Sequence, residues 1–498
     1  MADYSQINYV EVAVFIVYLI IMIGFGVYFF FKASGGEKEY YLGSRELGPW
    51  VSALSAGASD MSAWVLMGLP GAIFWFGLGQ VWIAVGLAAG YISAWLLVAP
   101  RLRQFSITAG DAITLPQYLT NRFLSKSKAL QVVCAVIFIV AYTAYTAAHI
   151  LACGRLFNIV FGMDQMLAMF ISAFIIVAYT FLGGFKAVSW SDFFQGMLML
   201  GALMAAPIFA LMAIEPGAFA ATVFPENYWN LLSSGQLDWA SWSDILSGFG
   251  WGLGYFGMPH IVIRFMAIRS QREVRKSAAI GISWNLLILA FSVAAGIAGR
   301  VYLGDTLGFE NRELVFIAMS RAIFPALISG VLLSAILAAA MSSADSKLLV
   351  SSSAFTADVY KPMLRKNASE GEMLWLGRFV VVIIAIAATL IAANPNGGTI
   401  MSLVGNAWGV FGAAFGPAIL LSLFWKRFTF PGAVAGIIAG AATNIIWLVT
   451  PVLADTGLYE IIPGFIVGTL FAVVATLLSK KPDAEVEALY DRALELAD

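Results

Sequence analysis

Two clusters of oxygen-bearing side chains lie inside otherwise apolar stretches. The first is Ser55-Ala-Gly-Ala-Ser-Asp-Met-Ser62, which contains Asp60; the second is Ser342-Ser343-Ala-Asp345-Ser346-Lys347. A hard monovalent cation takes oxygen ligands, by the logic that gives calcium and magnesium theirs. Carbonyls freed where a helix breaks, with two hydroxyls from another helix, would make such a cage. Ser342, Asp345 and Ser346 are spaced i, i+3 and i+4 and share one helix face, with Ser343 on its edge. Asp192 either caps its own helix or pairs with the Asp345/Ser346 face, where Lys347 could also sit and a second cation could be held. The bland alternatives are serines bonded to their own i−4 carbonyls and, for Asp60, an N-cap. The density of the second cluster favours ion binding.

These side chains must be held in a membrane. The chain has 498 residues, of which 61% are hydrophobic and 11% charged, and a mean hydropathy of +0.86. Soluble domains carry about 25% charged residues, so lipid must cover most of this exterior. The net charge of −1 excludes a nucleic-acid partner. Cys134 and Cys153 read as small buried residues, and His149 and His260 are too few for a His-rich metal site. The start, Met1-Ala-Asp-Tyr-Ser, lacks a basic segment, so the first apolar run is expected to be a retained span.

A span needs roughly 20 mainly apolar residues. About thirteen candidates lie near 8–31, 49–75, 79–99, 129–160, 164–185, 190–213, 240–267, 277–303, 325–358, 373–393, 399–425, 430–451 and 460–479. Lys and Arg concentrate in alternate loops, from Lys32, Lys38 and Arg45 to Lys480 and Lys481. The opposite loops hold only Arg300, Arg312 and Arg321, and 214–239 has no basic residue. The positive-inside bias then puts the N-terminus outside and the C-terminus in the cytoplasm. The fold class is thus an all-α polytopic membrane protein. Its short loops leave no room for a soluble domain, and the acidic tail is expected to be a soluble helix.

The second span carries the Ser55–Ser62 cluster. The seventh carries Gly248-Phe-Gly-Trp-Gly-Leu-Gly-Tyr-Phe-Gly257, then Pro259. Glycine costs a helix about 1 kcal/mol relative to alanine, so the glycine run is expected to open that helix. The two spans head consecutive groups of five. Interrupted helices in matching halves point to a secondary-transporter site; close packing through small residues is the structural alternative.

Those segments, with Phe181-Leu-Gly-Gly-Phe185, Ala187-Val-Ser-Trp190, Leu333-Ser-Ala-Ile-Leu-Ala-Ala339 and Ala392-Ala-Asn-Pro-Asn396, resemble the sodium/solute symporter family over nearly the whole chain. Within it, the bacterial sodium/proline symporters are the nearest match. The resemblance implies a five-plus-five inverted-repeat core. One helix and its inner loop precede it (1–47), the repeats follow (48–214 and 215–428), then two peripheral helices (429–481) and the acidic cytoplasmic tail (482–498). It implies sodium held by the carbonyls of Ala58, Met61 and Ala339 and the hydroxyls of Ser342 and Ser343. Asp60 would be needed for sodium use, with Asp192, Asp345 and Ser346 as further ion-coupling candidates. Proline would contact Trp64, Tyr145, Trp251 and Tyr255 with Ser62 nearby; Gly252 and Gly254 are counted in the same site. Arg45 matches a gate arginine. Two departures stand out: Met258 where glutamine is frequent, and Asp345 where serine is usual.

The expected function is sodium-coupled import of a small amino acid, most of all proline, across the inner (plasma) membrane. The competing transport readings are another solute (a sugar, sialic acid or a carboxylate) and proton coupling. A passive sodium channel would conduct without substrate. An intramembrane aspartyl protease would need two apposed carboxylates.

Overall fold

The computed structural model describes residues 7–32, 37–394 and 398–496. Met1–Ser5, Pro395, Asn396 and Asp498, which figure in the sequence reading, lie outside the described residues. Every named element is helical, as expected where lipid forces each segment to satisfy its own backbone. Among the described residues, ten helices are long and apolar enough to cross a membrane. The other three expected spans fall on shorter or interrupted helices, so length alone does not give thirteen. The second is Pro49–Asp60, Ala63–Leu66 and Gly68–Phe76. The fifth shares one long helix, Gln165–Ala213, with the sixth, divided where Gly184 takes φ +63°. The seventh is Trp239–Leu253 followed by Pro259–Met266.

Burial separates centre from rim. The most apolar windows of Ala326–Leu364 and Ile400–Phe424 are 78% buried, against 22% for the first helix and 28% for Ile461–Leu478. Large apolar side chains such as Ile20, Phe174, Leu390 and Ile466 are exposed, which is the surface lipid requires.

The glycine run behaves differently from its sequence expectation. Gly248, Gly250 and Gly252 stay helical, and the helix opens only beyond Leu253, through a tight turn at Gly254–Phe256 to Pro259. The earlier glycines let two backbones touch. A Cβ on Gly252 would lie 2.3 Å from the Gly86 carbonyl oxygen, and one on Gly248 2.5 Å from Trp82 backbone. Close packing thus explains Gly248 and Gly252, while Gly254–Gly257 makes the break. Gly86→Ala tests this contact, because its Cβ would fall 2.0 Å from the Gly248 carbonyl oxygen. Overpacking against backbone costs about 1–3 kcal/mol. A lower thermal midpoint of the purified protein is expected, and an unchanged one would refute the contact.

The tail also differs from expectation. Ala484–Glu495 is amphipathic and docks on the basic face, burying Val486, Leu489, Tyr490 and Ala493. Tyr490 Oη donates to the Leu423 carbonyl at 3.2 Å, and Lys426 pairs with Asp491 at 2.7 Å.

Candidate functional site

The first interruption spans Met61 and Ser62. Helix Pro49–Asp60 ends there, and Met61 (ψ 66°) and Ser62 (ψ −167°) leave helical geometry before Ala63–Leu66 resumes. The ninth span, Ala326–Phe355, passes directly alongside. Ser342 Oγ donates to the Ala58 carbonyl at 3.0 Å and lies 3.2 Å from the Ala339 carbonyl. Ser343 Oγ donates to the Ser59 carbonyl at 2.9 Å and lies 3.5 Å from that of Ala58. Four of the five proposed sodium ligands therefore converge on one point. The fifth, Met61, sits at the break itself, three residues beyond Ala58.

Asp60 is buried and accepts a hydrogen bond from Tyr255 Oη at 2.5 Å. It does not cap the following helix; it ties the first interruption to the second. Trp64 and Trp251 stack across the same gap, with ring centroids 6.1 Å apart. Trp251 also packs on Tyr459 at 5.0 Å, and its carbonyl accepts from Trp408 Nε1 at 2.8 Å. Tyr145 is buried on Ala129–Phe161, with its hydroxyl unpartnered, as is the Ser62 hydroxyl. Both hydroxyls keep unused hydrogen-bonding capacity among the described residues, as do other buried polar atoms such as those of Asn285 and Asn444. Gly252 faces Gly86, and Gly254 presses on Trp408, where a Cβ would meet the indole nitrogen at 2.0 Å. Those two glycines shape the wall by close approach. Met258 is buried at the start of Pro259–Met266.

The partner of Asp192 is Arg264, a residue outside the two clusters that the sequence marks. Arg264 Nη2 lies 2.8 Å from Asp192 Oδ2 and 2.6 Å from Ser346 Oγ. Its Nε reaches Ser55 Oγ at 2.6 Å, and Ser55 in turn donates to Asp192 at 2.7 Å. A guanidinium thus stands between Asp192 and Ser346, on the face where the sequence leaves room for a second cation. Asp345 accepts from Ser346 Oγ at 3.2 Å. Lys347 turns away from this group toward the first break: its Nζ lies 3.0 Å from the Ser59 carbonyl and 4.1 Å above the Tyr145 ring. A charge inside a membrane is costly enough to demand a partner. That rule, applied to Arg264 and Lys347 as well as to the carboxylates, was the signal in the sequence.

Beneath the site the basic face is closed. Arg45 Nε pairs with Asp111 at 2.9 Å, Nη2 donates to the Ala112 carbonyl at 2.8 Å, and Nη1 donates to the Met266 carbonyl. Burial pushes the Arg45 pKa down, and Asp111 counters it. The Arg269 amide donates to the Leu47 carbonyl at 3.0 Å. The ends of both interrupted helices at the basic face are therefore pinned together.

Paired interrupted helices around a buried polar cluster, inside a helical bundle, define a secondary transporter. The chain belongs to the sodium:solute symporter family, whose model matches residues 40–440. It is 44% identical to the osmoregulated proline transporter OpuE of Bacillus subtilis, over 93% of this chain and 95% of that one. It is also 44% identical to the sodium/proline symporter of Staphylococcus aureus, over 97% and 95%. Its fold matches a sodium-coupled sialic acid symporter in a substrate-bound outward-open state, with TM-score 0.80 at 20% identity over 96% of this chain and all of that one. A nucleobase-cation-symport-1 family transporter in a closed state matches with TM-score 0.55 at 14% identity, over 91% and 98%. The protein is a multi-pass membrane transporter.

Proposed function

We propose that the protein imports L-proline together with sodium across the plasma membrane by alternating access, with its N-terminus outside and its C-terminus in the cytoplasm. Its relatives named as proline transporters, at 44% identity over nearly the full chain, support the substrate. The observation that carries the ion coupling is the convergence of Ser342 and Ser343 on the carbonyls of Ala58 and Ser59.

In this reading sodium lies among the oxygens of Ala58, Met61, Ala339, Ser342 and Ser343. It draws the first interrupted helix to the ninth span and fixes the unwound backbone that recognises the substrate. Free N–H groups at the half-helix start take the substrate carboxylate. Trp64, Trp251, Tyr255 and Tyr145 enclose its ring and ammonium. Linkage requires that each ligand raise the affinity for the other. Counted as fully ionised, Asp60, Asp192 and Asp345 against Arg264 and Lys347 leave one negative charge, which one sodium balances.

The driving force suffices. One charge crossing 100 mV releases about 2.3 kcal/mol, and a tenfold sodium gradient adds about 1.4 kcal/mol. Together they support roughly a 500-fold gradient of a neutral zwitterion. The partners of the carboxylates, Tyr255 for Asp60 and Arg264 and Ser55 for Asp192, favour transport over the protease reading.

The test is uptake of radiolabelled proline into proteoliposomes, with and without an inward sodium gradient, against a sugar, sialic acid and a carboxylate. Proline accumulation that needs sodium is expected. Accumulation of another solute in preference, or equal uptake driven by a proton gradient alone, would overturn the reading.

A further inference from the structure

Lys347 is fully buried within a helix that carries three of the proposed sodium ligands, Ala339, Ser342 and Ser343. Among the described residues, its ammonium is not paired at hydrogen-bond distance with a carboxylate. It donates instead to two backbone carbonyls, Ser59 at 3.0 Å and Ser343 at 3.3 Å, and lies 4.1 Å above the Tyr145 ring. The Ser59 carbonyl is the same oxygen that accepts the Ser343 hydroxyl at 2.9 Å, and Ser59 directly follows Ala58 in the chain. Backbone carbonyls and an aromatic face are what a small cation binds in the absence of water. The lysine therefore uses, from within the chain, the oxygen environment that sodium would use.

We propose that the Lys347 ammonium is a tethered cation that competes with sodium at the first interruption and sets the sodium concentration the transporter requires. This rests on the sodium cage proposed above. Two positive charges in one low-dielectric cluster repel each other strongly. Sodium can enter only as the ammonium withdraws from the Ser59 carbonyl. The ammonium's return to that carbonyl then favours release of the ion. Lys347 is thus a specificity-determining residue for the ion, with a long flexible stem that permits the movement.

The experiment is a sodium titration in two forms: proline uptake by proteoliposomes, and tryptophan fluorescence of the purified protein with sodium alone. Lys347→Gln and Lys347→Met both remove the charge, and only glutamine keeps a hydrogen-bond donor. Both are expected to lower the half-saturating sodium concentration at least tenfold. Lys347→Arg keeps the charge and is expected to stay within about threefold of the parent. An unchanged or raised value in either neutral variant would overturn the proposal. A tenfold fall in the arginine variant would do the same, and that arm stands if the neutral variants fail to fold. Ser342→Ala, run alongside, separates the two readings. If it leaves the sodium dependence untouched, the cage itself is wrong. If it shifts that dependence while the Lys347 variants do not, only the competition is wrong.

Discussion

Ser342→Ala is expected to raise the sodium concentration for half-maximal proline uptake by about 10- to 150-fold. The Ser342 hydroxyl lies 3.0 Å from the Ala58 carbonyl and 3.2 Å from that of Ala339, so it bridges two other proposed ligands. Hydrogen bonds and contacts to a charged group are worth about 1.5–3 kcal/mol, and each 1.4 kcal/mol is tenfold. The removed atom is an oxygen ligand, while the backbone and the remaining ligands stay in place. Ser334→Ala is the control on the same helix. Its hydroxyl bonds only its own i−4 carbonyl, that of Gly330, at 2.8 Å, and its loss is expected to move the sodium dependence by less than about twofold. Equal effects of the two changes would show that the hydroxyl at 342 is no ligand.

Asp192→Ala is expected to cost about 3–5 kcal/mol of stability, because it leaves the Arg264 guanidinium buried without its counter-charge. Both side chains are almost completely buried, at 1% and 0% exposure. Arg264 would keep Ser55, Ser346 and the His260 carbonyl as acceptors, but none of these carries a charge. The thermal midpoint of the purified protein in detergent should fall by several degrees. Removing both partners, Asp192→Leu with Arg264→Met, should recover most of that loss, since an apolar pair of similar volume often matches a buried ion pair. A single variant as stable as the parent would show that the pair contributes nothing to holding the sixth span against the second interrupted helix.

The comparison of Arg264 with Asp192 shows where sequence reasoning stopped. Asp192 was conspicuous as an acid in an apolar segment, and the Asp345/Ser346 face was its nearest helical-pattern partner. Which group completes that cluster depends on how Pro259–Met266 crosses Gln165–Ala213, and no local pattern encodes that crossing. The glycine run gives the same lesson in backbone form. Glycine at 248 and 252 is compatible with an opened helix or with a tight helix contact, and only the position of Gly86 and Trp82 decides for contact.

The sequence by itself determined the solvent, the helical class, the approximate spans and the two places where helices part. Hydropathy, charge asymmetry and the Ser55–Ser62 and Gly248–Pro259 segments are local, and the bilayer permits few structures that satisfy them. It also marked Ser342, because i, i+3 and i+4 spacing puts it on one helix face with Asp345 and Ser346, with Ser343 on the edge of that face. Tertiary structure alone decided the pairings: Tyr255 with Asp60, Arg264 with Asp192 and Ser346, Lys347 with Ser59, and Arg45 with Met266 and Asp111. Each joins residues 66 to 288 positions apart. Such contacts follow from which helix faces meet in the packed bundle, and a buried charge then takes whichever partner that packing brings within reach.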